Sequence, residues 1–236
     1  MQKPKTATPP KRTAEQVLDG FLKNTGGPAY ARIRSSLSQG TISNPSGVIG
    51  RIEIKVKVPD KFLMRILTPT GETAIGYDGK EGWTRDPNKE LRLLKGAELA
   101  QLQLQALQTN APQNWRSYFK TVELLGLTRA GSVVCYKLRL VPKNGSSPIL
   151  QYHDAQSLLL IRSDQVLESP QGKQPAVTYA ADFRLVDGVK TAFKMRQRIP
   201  DTEILIQLTT VKNNVPISDS EFARPAEEPG KPAKTG

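Results

Sequence analysis

The sequence predicts a mainly β fold, a sandwich or barrel of short antiparallel strands in one domain. Three observations lead there. Apolar and cationic residues alternate at period two in several runs, the pattern of a sheet with one dry face and one wet face. Turn signals separate the runs at short intervals, at Pro59-Asp60, Pro69-Thr70-Gly71, Asp78-Gly79, Asn144-Gly145 and Asp187-Gly188. One internal segment, Gly96–Asn110, breaks this rhythm with helical spacing, too little helix for a βαβ sheet.

The elements follow in order. Residues 1–12 and 223–236 are rich in Pro, Lys, Ala and Glu and almost free of large apolar groups, so they read as tails that cannot offset their ordering entropy. The domain is therefore 13–222. Thr13 is placed to cap a helix over Ala14–Asn24, with Gln16 in the capping-box position, Val17, Phe21 and Leu22 as the apolar stripe, and Gly26-Gly27 as the stop. A second helical turn is expected at Pro28–Arg34.

The clearest strand is Val48–Val58. Val48, Ile52, Ile54, Val56 and Val58 share one face, and Arg51, Glu53, Lys55 and Lys57 share the other. The same alternation sets Phe62, Met64 and Ile66 against Lys61 and Arg65, and Val134, Tyr136, Leu138 and Leu140 against Lys137 and Arg139. Further on it sets Val189, Phe193 and Met195 against Lys190, Lys194, Arg196 and Arg198. In Gly96–Asn110, Leu99, Leu102, Ala106 and Leu107 form a helical stripe, with Leu104 off it and Gln101, Gln105 and Gln108 opposite. Pro112–Phe119 is expected to add a helical turn presenting Trp115, Tyr118 and Phe119. A helix inserted among strands must cover something, and the apolar face of the sheet is the candidate.

With 236 residues, the core is long enough to bury most of its apolar surface. A net charge of +12 and a pI near 9.8 point to an anionic partner and say nothing about fold. One Cys and one His exclude an internal disulfide and a Cys/His metal site within one chain. His153 stands beside Asp154 with no nucleophile in view, and Cys135 has no activating base nearby in sequence. Both read as structural, and neither catalytic residues nor a cofactor is expected. Nucleic-acid binding is disfavoured, because aromatics are scarce on the polar faces and no phosphate-binding or helix-turn-helix motif is present. No run of 18 apolar residues occurs, and MQKPKTATPPKR lacks the apolar core of an intact signal peptide. This leaves open a cytoplasmic protein or one whose signal has been removed.

Pro59–Leu94, PDKFLMRILTPTGETAIGYDGKEGWTRDPNKELRLL, resembles the strand meander of the periplasmic outer-membrane lipoprotein carriers, the LolA/LolB-like fold. The likeness rests on Pro59 and Phe62, Asp78-Gly79-Lys80, Trp83 and Asp86-Pro87. ADFRLVDGVKTAFKMRQR (Ala181–Arg198) is similar to a hairpin of lipoprotein-sorting-like proteins, and NNVPISDSEFARP to their closing segment. Together these cover roughly Ala29–Pro225. The resemblance implies one strongly curved antiparallel sheet, a half-open barrel, wrapped around an N-terminal helix and an inserted helical lid on its concave face. It also implies a bacterial, periplasmic location and non-covalent binding of a lipid or lipoprotein acyl chain.

Two departures favour a soluble carrier over an anchored receptor. The only Cys lies mid-strand, and the turn Thr68-Pro69-Thr70-Gly71 has no large apolar tip. A monomer is expected.

The candidate cavity residues are Ile54, Val56, Phe62, Met64, Ile66, Trp83, Leu99, Leu102, Trp115, Phe119, Tyr136, Phe193 and Met195. For Trp83 and for the Trp115–Phe119 aromatics ordinary core packing is the alternative. Leu99, Leu102 and Ala106 cover either cargo or the sheet itself. Lys55, Lys57, Lys137, Arg139, Lys194, Arg196 and Arg198 form a basic outer face. It is either a solvated surface or a docking face for an anionic membrane or an acidic subunit of a membrane complex. In that second function the protein would be an accessory subunit that carries nothing.

Overall fold

The computed structural model describes residues 9–169 and 172–226. Most of both expected tails lies outside the described residues. Of the part that is described, Pro10 accepts a hydrogen bond from the Tyr136 hydroxyl and so belongs to the packed structure.

Helix α1 (Ala14–Thr25) starts at the expected capping box, with Gln16 N–H donating to Thr13 Oγ1 and Thr13 N–H donating to Gln16 Oε1. A 3-10 turn follows at Gly27–Arg32. The strands are β1 (Ser35–Asn44), β2 (Gly47–Lys57), β3 (Lys61–Thr68), β4 (Gly71–Tyr77), β5 (Gly82–Arg85) and β6 (Leu91–Leu93), then β7 (Phe119–Ala130), β8 (Val133–Pro142), β9 (Ile149–Asp154), β10 (Leu160–Ser169), β11 (Gly172–Val186), β12 (Val189–Ile199) and β13 (Thr202–Asn213). Helix α2 (Gly96–Asn110) has the predicted bounds, and the short α3 (Trp115–Tyr118) follows it.

All thirteen strands among the described residues form one antiparallel sheet in the order β6-β5-β4-β3-β2-β1-β13-β12-β11-β10-β9-β8-β7. The chain starts at the centre, winds out to β6, crosses through α2 and α3 to the opposite edge, and winds back to pair β13 with β1. The edges β6 and β7 do not pair, so the barrel is open, and α2 packs against β2–β5 on one side and β10 on the other. Its contacts measure the curvature. α2 touches both β5 and β10, eight strand steps apart in the order, about 38 Å if the sheet were flat. A 15-residue helix is only about 22 Å long, so the sheet must curl around it.

The face that carries the helices is called inner. One core lies there between α1, α3 and β8, with Val17, Leu18, Trp115, Phe119, Tyr136, Leu138 and Leu140. A second lies between α2 and β2–β4, with Val56, Phe62, Tyr77, Leu102 and Ala106. Leu104 is off the expected stripe because α2 is a wedge: Leu104 packs into the first core while Leu102 and Ala106 pack into the second.

Two expectations are corrected. Val48 is not on the apolar face but 70 % exposed, because β2 carries a bulge at Ile49 opposite Ile42/Ser43 that reverses the alternation beyond it. The outer face of β2–β5 is not a wet face. The segment Asn214–Phe222 straps across it and buries a third core of Leu63, Ala74, Trp83, Ile217 and Phe222.

Candidate functional site

The stretch Gly76–Trp83 shows how local sequence sets the two faces. Asp78 Oδ1 accepts from the N–H groups of Lys80 and Glu81, both at 2.8 Å, closing the turn at Gly79. Gly76 and Gly82 are needed for close approach. A Cβ on Gly76 would sit 2.5 Å from the Trp83 ring on the outer side, and one on Gly82 would sit 2.8 Å from Leu99 Cδ1 of α2 on the inner side. Trp83 is therefore an outer-face residue. Its Nε1 donates to Phe222 O at 3.0 Å, and it is 1 % exposed. Among the cavity candidates it is the one the structure moves, because its strand neighbour Gly82, not Trp83, faces α2.

The other candidates lie inside but fall into three groups. Val56, Phe62 and Leu102, with Ile54, Met64 and Leu99 partly buried beside them, are the interface of α2 with the sheet. Trp115, Phe119 and Tyr136 are buried under α1. Ile66, Phe193 and Met195 belong to a third stretch of the inner face, where sequence reading missed most members. Across it, Ile66 pairs with Ile52, Ile52 with Gly40, and Gly40 with Leu208. In the next row Ile42 pairs with Ile206, and Ile206 with Met195. Ile66, Met195, Ile204 and Ile206 are only half-buried, and they give the central strands an apolar inner lining. The signal for Ile204 and Ile206 is present in TEILIQL, but β1, between β13 and β2, reads SSLSQGTISN, too polar to be recognised as the central strand.

α2 is fixed rather than loosely laid on. Gln101 Nε2 donates to Val166 O and Glu168 N–H donates to Gln101 Oε1, both at 3.0 Å, so one side-chain amide pairs with β10 as a strand would. Asn144 Nδ2 donates to Ala100 O at 2.7 Å, and Asn110 Nδ2 to Lys61 O of β3 at 3.0 Å. Leu102 is 3 % exposed and Ala106 fully buried, so of the two alternatives this part of α2 covers the sheet.

His153 is fully buried, with Nδ1 3.0 Å from Leu158 O and Nε2 3.1 Å from Gln151 Oε1; burial pushes its pKa down to about 4. Both nitrogens are occupied and no substrate can reach them. The buried Cys135 thiol is held above its ordinary pKa by burial, which disfavours the thiolate.

The outer cations divide into two sets. Lys55 and Lys57 are under the strap: Lys55 Nζ lies 2.5 Å from Glu221 and 3.2 Å from Glu53, and Lys57 Nζ 2.7 Å from Asp219. Burial works against the Lys55 charge, but Glu221 and Glu53 outweigh it and raise its pKa. These two therefore leave the expected docking face. The remainder stays exposed or half-exposed on β8 and β12, and Lys137 and Arg196 are the ends of a cross-strand row in register, with the buried Tyr152 and the half-buried Arg162 and Tyr179 between them. Cations and rings alternate along it, with Arg162 4.6 Å above the Tyr152 ring and Arg196 4.9 Å above that of Tyr179. Burial first, and then the Asp164 carboxylate bonded to it, push the Tyr152 pKa up to about 12, so the row keeps its phenol neutral. Arg139 and Lys194 flank it, exposed, while Arg198 pairs with Glu203.

No family model matches the sequence, and no curated protein matches it. Solved structures do match. A DUF1329 family protein from Desulfovibrio piger superposes with a TM-score of 0.60 at 16 % identity, over 90 % of this chain and 98 % of that one. A LolA superfamily protein from Nitrosomonas europaea gives 0.60 at 13 %, over 91 % and 99 %. A domain assigned to outer-membrane lipoprotein sorting in Vibrio parahaemolyticus gives 0.56 at 12 %, over 89 % and 97 %. The likeness is one of fold: the chain has the LolA-like half-barrel, as the motifs at Pro59–Leu94 and Ala181–Arg198 implied.

Proposed function

We propose that the protein is a non-catalytic carrier of the bacterial periplasm that holds a lipid or lipoprotein acyl chain on the inner face of its open half-barrel. The observation that carries this reading is the half-buried apolar lining of Ile66, Met195, Ile204 and Ile206, on central strands beside a helix already anchored to both walls. The fold relatives support it by architecture, and the occluded His153 supports the absence of catalysis. Among the described residues no helix is long and apolar enough to cross a membrane. Each methylene moved from water onto such a lining contributes about 0.8 kcal/mol. A fluorescent fatty acid should therefore bind the wild type, and Met195→Gln with Ile206→Gln should weaken it at least about tenfold. The melting temperature should move little, because both side chains are half-exposed. Failure of the wild type to bind any acyl probe would remove the carrier reading.

The second reading, docking on an anionic membrane surface with no cargo, is favoured by the outer row from Lys137 to Arg196. Binding to vesicles containing anionic lipid should then fall steeply with salt, since exposed charges are screened beyond about 8 Å at physiological ionic strength. Arg139→Glu with Lys194→Glu should weaken it further without unfolding the protein. Vesicle binding insensitive to both changes would sink this reading.

A further inference from the structure

The outer end of the sheet holds a cleft of about 750 Å³ where the chain enters β1 and leaves β13, lined by Arg32, Arg34, Lys57, Asn214 and Val215–Ser218 among others. Its backbone is cross-linked. Arg34 N–H donates to Asn214 Oδ1 at 2.8 Å, and Arg34 O accepts from Val58 N–H at 3.0 Å. Asn214 N–H donates to Ser35 O at 2.8 Å, and Ser35 Oγ donates to Val215 O at 2.6 Å. Asn214 adopts φ +56, a left-handed turn that Asn tolerates and that points the chain across the cleft.

The charges are not balanced inside this frame. Lys57 is satisfied by Asp219 and by Ile217 O. Asp187, in the β11–β12 turn that approaches Arg32 through Gly188, is bonded to Asn213. Arg32 and Arg34 are exposed, and among the described residues neither guanidinium has a hydrogen-bond or ion-pair partner. Elsewhere six arginines (Arg85, Arg92, Arg116, Arg162, Arg184 and Arg198) each hold a carboxylate. Two free guanidinium groups on a hydrogen-bonded rim match a dianion better than a single carboxylate. Guanidinium forks bind phosphate oxygens in pairs. The volume exceeds one phosphate and falls in the range of small-ligand sites, and Val215 and Pro216 offer an apolar wall for an attached organic group.

We propose that this cleft binds a terminal phosphate group, as a phosphate monoester, through Arg32 and Arg34. The site lies on the outer side of the sheet and does not depend on the inner face holding an acyl chain. Calorimetric titration with inorganic phosphate and with glycerol phosphate tests a soluble source. Flotation with phosphatidate-containing against phosphatidylcholine vesicles tests a lipid headgroup. Arg32→Gln or Arg34→Gln should lower affinity by about tenfold each, the scale of one charge-assisted contact. The double variant should bind nothing while melting as the wild type does. The control, Lys23→Gln with Lys120→Gln, removes the same charge at two exposed positions away from both the cleft and the outer basic row and should bind as the wild type. Binding of the soluble ester or of phosphatidate vesicles, lost only in the Arg32 and Arg34 variants, supports the site and names its source. No binding in either arm, or equal loss in the control, overturns it.

Discussion

Replacing Phe222 with Ala should lower the unfolding free energy by about 3–5 kcal/mol, the range for truncating a large buried aromatic. Nothing in ARPAEEPGKPAKTG, which follows it, suggests that the chain end is structural. Yet Phe222 is fully buried and closes a core with Trp83, Leu63, Ala74 and Ile217 on the outer face. Its carbonyl accepts the hydrogen bond donated by the Trp83 indole N–H, and the acids just before it, Asp219 and Glu221, hold Lys57 and Lys55. The companion variant Trp83→Phe keeps much of the area but removes the donor, and should cost about 1–3 kcal/mol. Urea unfolding of both singles and the double should give a coupling energy above about 0.5 kcal/mol, because the two side chains share one core. A loss below about 1 kcal/mol for Phe222→Ala would mean that the strap is not seated on the sheet in solution.

Acid should destabilise the protein through His153 well before its carboxylates are all protonated. Burial holds the folded imidazole near a pKa of about 4, whereas in the unfolded chain it titrates near 6.5. As pH falls below about 6.5 the unfolded state takes up a proton that the folded state refuses, so stability falls with falling pH. Between pH 7 and pH 5 this single group should remove about 2 kcal/mol, with more lost toward pH 4. The ring is enclosed by Phe21, at 5.3 Å edge-to-face, Leu158 O and Gln151, and no carboxylate is bonded to it. His153→Gln would itself be destabilised at pH 7, but its stability should slope less over pH 7 to 5 by about the same 2 kcal/mol. Parallel slopes for variant and wild type would show that the imidazole is hydrated or charged in the fold.

Local rules made several elements legible. The Thr13/Gln16 capping box, the helix Gly96–Asn110 and the Asp187-Gly188 turn, where both residues have positive φ, each depend on a few neighbouring residues and came out as read. The half-barrel was legible only through the order of weak motifs along the chain. The central strand β1 was not legible at all: Ser36, Ser38 and Gly40 occupy its inner positions, so the alternation that marks its neighbours is missing.

The sequence by itself determined which residues alternate, where the chain turns, and that one helix interrupts the strands. Only the tertiary structure decided what lies on each face. Period-two patterning sorts residues into two sets but does not say which distant segment will cover either set. Trp83 became an outer-face core residue, and Lys55 and Lys57 left the docking face, because a segment about 140 residues further along folds back over β2–β5. Val48 changed sides because one bulge shifts the register. The lining at Ile204 and Ile206 exists because β13 returns to pair with β1, a closure made between the two ends of the domain and written in no local stretch of it.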